Sequence, residues 1–462
     1  MRWEDLPFDA HIIFVSHEWV GWSHPDPHGI QLTTFLQVMT RLLSGEIDRV
    51  SMSVFHRLLY KENITTTHEE WKEILETAYI WFDWSSMPQP SACISSMSKE
   101  KKEKMGFELG NAVKSIPAYV VNSIHHKKHH RTNTSQLEQP TNRYVERADF
   151  VAVVAPGCLH ADRRDSGTLV RSKTCYRTYR RRGWCVLEMF SSQLSRRKTH
   201  PTLLITSGLG VPNWISPLEA HKLAVGASDF TCCERNHIFG ENVVPCDRGI
   251  THDILKKLIK HKVQHLFEHG DNIRGRLYAC FETWWLRTKE TCEDNSSKSL
   301  SVFMRRLHWN DQDDWFDHAG ISILFYAVIH NDTKSVQTIL SRDDVGADQI
   351  NAHILENGFV EFGIPRRVSI LICAMSFSNV SIVKMLLQSG ANPKIQDKIG
   401  FDCLMYVLCL FVCVCVSFLL LSFSLPLSSL SSRPFTHTHT HTQQVRINPW
   451  TNRKHQVLAL EI

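Results

Sequence analysis

Three short stretches of this 462-residue chain hold residue types able to do chemistry. The first is RRGWCVLEMF, residues 181–190, where Glu188 is the single acid of an apolar segment behind Arg180, Arg181 and Arg182. Helical spacing puts Trp184 and Glu188 on one face, four positions apart. A carboxylate so placed is either an ordinary helix acid or a group held for electrostatic or acid–base work. The second stretch is SHEWVGWSHPDPH, residues 16–28, with His17, Glu18, His24, Asp26 and His28. These are metal-binding residue types, but they lack a standard ligand spacing such as His-Glu-x-x-His on a helix. Asp26 is better used as a helix cap before Pro27.

The third stretch, CCERNHIFGENVVPCD, places four zinc-type ligands, Cys232, Cys233, His237 and Cys246, within 15 residues. It lacks the Cys-x-x-Cys knuckle, so buried loop thiols and no metal are the expectation. Asp83, at a strand end, is expected to satisfy loop N–H groups rather than orient a ligand hydroxyl. No phosphate-cradling glycine-rich loop and no Ser/His/Asp order stand out.

Composition narrows the setting for this chemistry. Hydrophobic residues make up 43% and charged residues 21%, as in a globular protein. The formal charge of +5, from 52 basic and 47 acidic residues, is too balanced to imply nucleic acid. MRWEDLPFDA has no apolar signal-peptide core. The 14 cysteines show no paired framework, which predicts reduced thiols and a cytoplasmic location.

The elements that must position these residues alternate. HIIFV (11–15), AYIWFDW (78–84), ADFVAVVAP (148–156) and TLLIT (202–206) read as buried strands. The first runs through a polar loop into a helix with apolar positions from Ile30 to Leu43, closed by Gly45. Further helices are predicted over 97–118 and 184–194, and HHKKHH (125–130) opens a low-complexity insertion. Strands alternating with helices predict a parallel-sheet α/β domain, with its ligand crevice at the strand C-terminal ends. Residues 251–310 read as an α-helical connector.

From about 311 to 406 a repeat emerges. Leu371 to Leu404 and Ala374 to Val407 are each 33 residues, the period of the ankyrin repeat, which this part resembles. Its first two repeats are 47 apart, so a loop near 351–367 is inserted, and DKIGFDCLMY opens a third. The expected stack core is Leu324, Ala327, Val336, Leu340, Leu371, Ala374, Val383, Leu386 and Leu387. The third repeat runs into VLCLFVCVCVSFLLLSFSLPL (407–427), uncharged and long enough to span a bilayer. VCVCV and THTHTHT, however, are what GTGT and ACAC tracts encode. Residues 407–443 therefore read as a translated intron, with a transmembrane anchor, and so a membrane receptor, as the alternative; 444–462 form a tail.

IIFVSHEW, YIWFDWSSMPQ, ADFVAVVAP and RGWCVLE together resemble the TIR superfamily, including its fungal heterokaryon-incompatibility relatives. Trp184, Cys185 and Glu188 match the Trp-Cys-x-x-Glu of TIR domains position by position. The resemblance implies a flavodoxin-like sheet over about residues 1–250, and a glutamate that helps cleave the nicotinamide–ribose bond of NAD. It would make Glu188 catalytic, with Trp184 as a pocket wall. Ser16 and His17 would meet the ribose or phosphates, and Arg182 with its neighbours the pyrophosphate. Such domains also act by self-association alone. Ser16 and Glu188 stand 172 positions apart, farther than in a compact TIR domain, which implies insertions near 45–75 and 85–145.

The sequence thus predicts a TIR-like α/β domain, a helical connector and a short ankyrin stack. The repeats would bind an unknown protein partner. NAD is the one small-molecule substrate implied, with no certain cofactor. The alternative is a purely non-enzymatic interaction protein in which Glu188 is structural.

Overall fold

The computed structural model describes residues 11–21, 24–53, 57, 64–82, 98, 100, 104, 150–162, 173–194, 202–239, 242–243, 246–288, 299–309, 316–317, 320–354, 358–377 and 380–408. Asp83, the helix expected over 97–118 as a whole, HHKKHH and residues 409–462 lie outside the described residues.

Four parallel strands and one antiparallel edge strand form the main sheet. They are β1 (His11–His17), β2 (Ala78–Phe82), β3 (Phe150–Val154), β4 (Thr202–Ile205) and β5 (Asn213–Ile215), in the order β2-β1-β3-β4-β5. β1 pairs in parallel with β2 and β3, and β5 runs antiparallel to β4. The chain steps from β1 outward to β2 and returns on the other side at β3. Loops leaving β1 and β3 therefore diverge, the arrangement that opens a crevice at strand C-terminal ends.

Both faces of β1 are buried, so its alternation decides where each side chain goes. Ile13 and Val15 pack with Phe35, Val38, Met39 and Leu42 of α1 (Ile30–Leu43). Ile12 and Phe14 pack on the opposite face with Val186, Leu187 and Phe190. By the same parity Ser16 belongs to the second face and His17 to the first.

Helix α1 starts later than the sequence suggested. Asp26 does cap it, but its carboxylate accepts from the N–H groups of Ile30 and Leu32, each at 2.9 Å. Gly29, at φ +65°, turns the chain between cap and helix, and Gly45, at φ +78°, follows its end. The stretch expected as an insertion near 45–75 contains α2 (His68–Glu76), opened by a capping box between Thr67 and Glu70. Its fully buried Trp71 stacks on Trp214 of β5, centroids 5.5 Å apart. This insertion thereby supplies core to the sheet.

The opposite face carries α3 (Tyr176–Tyr179), α4 (Gly183–Gln193) and α5 (Pro217–His221), then the long pair α6 (Asp247–Glu268) and α7 (Asn272–Leu286). After α8 (Leu300–Arg306) come two helix pairs, α9 (Ile323–His330) with α10 (Thr333–Leu340), and α11 (Ile370–Phe377) with α12 (Val380–Gln388). One buried apolar cluster runs from β1 through α4, α6 and α7 into α9 and α11. No described helix is long and apolar enough to cross a membrane.

The loop inserted near 351–367 is not a mere surface excursion. Phe362, 1% exposed, stacks on Phe281 of α7, and His221 of α5 packs on its ring with centroids 5.3 Å apart. The Glu361 carbonyl bonds His221, and its carboxylate pairs with Arg274 at 2.8 Å. The insertion thus ties the second helix pair to the sheet layer.

Candidate functional site

Ser16, at the C-terminal end of β1, points to α4. Its hydroxyl donates to the Glu188 carboxylate. The same Oγ lies 2.5 Å from the Tyr179 hydroxyl, which is also 3.3 Å from the Cys185 carbonyl. Burial above all, reinforced by the charge of Cys185 and Glu188, holds the Tyr179 phenol well above its ordinary pKa. Tyr179 therefore stays protonated and donates. Ser16 gives its one proton to Glu188, so the Tyr179 phenol proton is shared between Ser16 Oγ and the Cys185 carbonyl.

Two features fix Glu188 in place. Gly183, the first residue of α4, sits on the Phe230 ring, where an added Cβ would come within 2.1 Å of ring carbons. Its N–H donates to the Asp229 carbonyl, and Asp229 N–H returns the bond to Arg181. The start of α4 is thereby pinned, and Glu188 follows one and a half turns later. Cys185 is buried and donates its thiol to the His17 carbonyl at 3.6 Å.

Beside this trio lies a second buried polar group. His17 Nδ1 stands 2.7 Å from Gln31 Oε1, so that nitrogen carries the proton, and Gln31 donates to the Glu18 carbonyl at 2.8 Å. The Glu18 carboxylate, 3% exposed, accepts from Thr178 at 2.6 Å and lies 3.9 Å from Arg182. A buried charge needs such partners. Asp26 and Glu18 have these structural duties, and the five candidate ligands of residues 16–28 form no metal cluster among the described residues.

The arginines differ from expectation. Arg180 pairs with Glu219 at 3.2 Å, Arg181 with Asp229 at 3.0 Å, and Arg182 with Glu234 at 2.8 Å while also donating to Thr231. Each guanidinium is neutralised by a carboxylate, so a pyrophosphate would have to displace a protein partner. Trp184 gives its indole N–H to Asp247 at the start of α6, 3.2 Å away. It anchors α6 to α4.

The structure also gathers Cys232, Cys233, His237 and Cys246, whose ligand atoms all lie within 4.8 Å of one another. Burial pushes the Cys232 thiol up to about 12. Cys246 is held below the usual thiol range: burial works against this, and the Arg248 backbone N–H and the neighbouring thiols outweigh it.

The C-terminal half presents a different surface. In α12 the buried stripe is Ile382 and Leu386, with Val383 partly buried beside it. α11 buries Leu371 and Ala374, and its partner pair buries Leu324, Ala327, Val336 and Ile339, with Leu340 partly buried. Residues 368–398 match the ankyrin-repeat family. No curated protein and no solved structure shows a significant match to the chain. An ankyrin repeat supports a protein–protein interaction role. Leu387, expected in the stack core, is 45% exposed, because it lies one residue beyond Leu386 and so about 100° around the helix.

The same turn occurs before α9 and again at the end of the matched repeat. Asp317 accepts from Ile321 N–H and from the Tyr326 hydroxyl, with Gly320 at φ +77° between them. Asp397 accepts from Phe401 N–H and from the Tyr406 hydroxyl, with Gly400 at φ +86°. DKIGFDCLMY exposed the second of these turns to sequence reading. The first has the same Asp-x-x-Gly spacing, but the 351–367 insertion puts it off the 33-residue period that marks the later turn. Tyr179 and Gln31 were missed for a different reason: a residue that bonds across 163 or 14 positions leaves no local signal.

Proposed function

We propose that this protein is a signalling scaffold. Its ankyrin stack, three repeats opened by the turns at Asp317, the 359–364 loop and Asp397, binds a protein partner. Its α/β unit is TIR-like and acts through self-association and cleavage of NAD. The order β2-β1-β3-β4 of the four parallel strands is shared with flavodoxin-like sheets and supports this reading, while β5, antiparallel to β4, departs from that pattern.

The observation that carries the enzymatic part is the Ser16–Glu188 hydrogen bond at the C-terminal end of β1. In the reaction the bond between ribose C1′ and the nicotinamide nitrogen breaks, and its electron pair neutralises the departing pyridinium. An ionised Glu188 stabilises the oxocarbenium-like sugar, and water adds at C1′ while its proton passes to the carboxylate or to solvent. Nicotinamide needs no protonation to leave, so one carboxylate is enough. Ser16, itself in contact with Tyr179, orients that carboxylate.

A second reading, a purely non-enzymatic module, is favoured by the pairing of Arg180, Arg181 and Arg182 with carboxylates and by the 1% exposure of Ser16. Incubating the full chain with NAD over a range of protein concentrations separates the two. Nicotinamide release that rises more steeply than protein concentration supports an assembled nucleosidase. No release at any concentration, or on a clustering scaffold, supports the second reading.

A further inference from the structure

We propose that Cys232, Cys233, His237 and Cys246 bind one zinc ion, which fastens the 231–247 segment to the helix that carries Glu188. Four ligand atoms from a short helix (Thr231–Glu234), the turn after it and the residue before α6 converge within 4.8 Å of one another. Cys233 Sγ and Cys246 Sγ are 3.6 Å apart. A disulfide needs about 2.05 Å. A tetrahedral zinc with Zn–S bonds of about 2.3 Å has sulfur–sulfur edges of about 3.8 Å, close to the separation found.

His237 gives the second, independent sign. Its Nδ1 is buried and has no hydrogen-bond partner. Asn236 and His237 both adopt left-handed backbone, φ +51° and +59°, a conformation uncommon outside glycine that Asn and His enter more readily than most residues. Its N–H bonds the Cys232 carbonyl at 2.6 Å, which brings the ring back toward the thiols. One ring nitrogen of His237 lies within 4.8 Å of the three thiols, and an imidazole with a buried, unpartnered nitrogen beside three cysteines is a fitting ligand set for a borderline-soft cation. The absence of a Cys-x-x-Cys knuckle does not matter, because the fold supplies the fourth ligand from the start of α6.

The cluster is joined to the Glu188 site through two bonds. Asp247, next to Cys246, donates its N–H to Cys232 Sγ at 3.4 Å and accepts the indole N–H of Trp184. Thr231 and Glu234, flanking the cysteine pair, hold Arg182, whose other side approaches Glu18. A bound zinc would therefore brace the first turn of α4 from outside.

Elemental analysis of the full-length protein, expressed with zinc in the medium and purified without chelators, tests this. About one zinc per chain is expected, absent from Cys233→Ser and Cys246→Ser and retained in Cys175→Ser. Cobalt substitution should give intense tetrahedral visible bands with a thiolate charge-transfer band. His237→Cys keeps four ligands, so it should retain metal with a shifted cobalt spectrum, which guards against mistaking misfolding for ligand loss. A zinc-free protein overturns the proposal, as does zinc that survives in both serine variants. So does a Cys233–Cys246 disulfide, seen as a mass lower by two hydrogen atoms with no metal.

Discussion

Ser16 donates its hydroxyl to Glu188 across 172 positions of sequence, joining the end of β1 to the middle of α4. The bond exists because two periodicities meet. Alternation along β1 turns Ser16 to the α4 face with Ile12 and Phe14, and the pinned start of α4 brings Glu188 over the strand end.

That pinning gives the first prediction. Gly183→Ala puts a methyl into the Phe230 ring, which has no flexible end to swing away. Overpacking of this kind costs on the order of 1–3 kcal/mol. The variant should lose that much in urea unfolding, whereas Gly249→Ala, where nothing lies within 4 Å, should not. Equal stability of the two variants would contradict the described seating of α4.

The two helix pairs predict a contrast between neighbours. Leu386→Ala, at a fully buried position, should cost about 2–5 kcal/mol. Leu387→Ala, on an exposed one, should stay within about 0.5 kcal/mol. Chemical denaturation of the two variants side by side reads the helix register directly, and a larger loss at Leu387 would reverse it.

Arg276 joins α7 to the Asp317 turn that precedes α9. It pairs with Asp317 at 3.2 Å, donates to the Leu307 and His308 carbonyls, and lies 4.4 Å from the Trp309 ring centroid. Both charged side chains are 7% exposed. Arg276→Met leaves Asp317 buried without its counter-charge and should cost on the order of 3–5 kcal/mol. Loss of less than about 1 kcal/mol in thermal unfolding would show that the ion pair is dispensable.

Two histidines predict acid sensitivity. His221 and His330 both have their pKa lowered from 6.5 to about 4, in each case chiefly by burial. His221 Nε2 has no partner, so a proton there would be stranded. The unfolded chain takes up these protons near pH 6.5 and the folded chain only near 4, so the unfolded state binds more protons between them. Their contribution is fully present above about pH 6.5 and is lost as pH falls toward 4, on the order of 3 kcal/mol for each ring. Unfolding midpoints at pH 7.5 and pH 5 should differ, and replacing both residues with glutamine should flatten the profile. An unchanged slope would contradict it.

Much of this architecture was legible before any coordinates. HIIFV, ADFVAVVAP and TLLIT are apolar on both faces and could only be buried strands, and the 33-residue period exposed the matched repeat. What stayed hidden depends on three dimensions. The arginine run gave no hint that Glu219, Asp229 and Glu234 would each neutralise one guanidinium, because those acids lie far along the chain. Leu387 looked like core because Leu386 and Leu387 are chemically identical, and only helix phase separates them. The 351–367 insertion was visible as extra length, but the burial of Phe362 between α5 and α7 was not. The apolar run 407–427 keeps its two sequence readings, since residues 409–427 lie outside the described structure.

The most direct measurement is nicotinamide release from NAD by the full chain, assembled at high concentration, compared with Glu188→Gln. Glutamine keeps the shape and accepts the Ser16 hydroxyl but carries no charge, so unfolding curves should coincide within about 0.5 kcal/mol while release falls by at least 100-fold, the scale of about 2.7 kcal/mol of lost transition-state stabilisation. Equal release from both proteins, or none from either, would contradict a catalytic role for Glu188 and leave it the acceptor that locks β1 to α4.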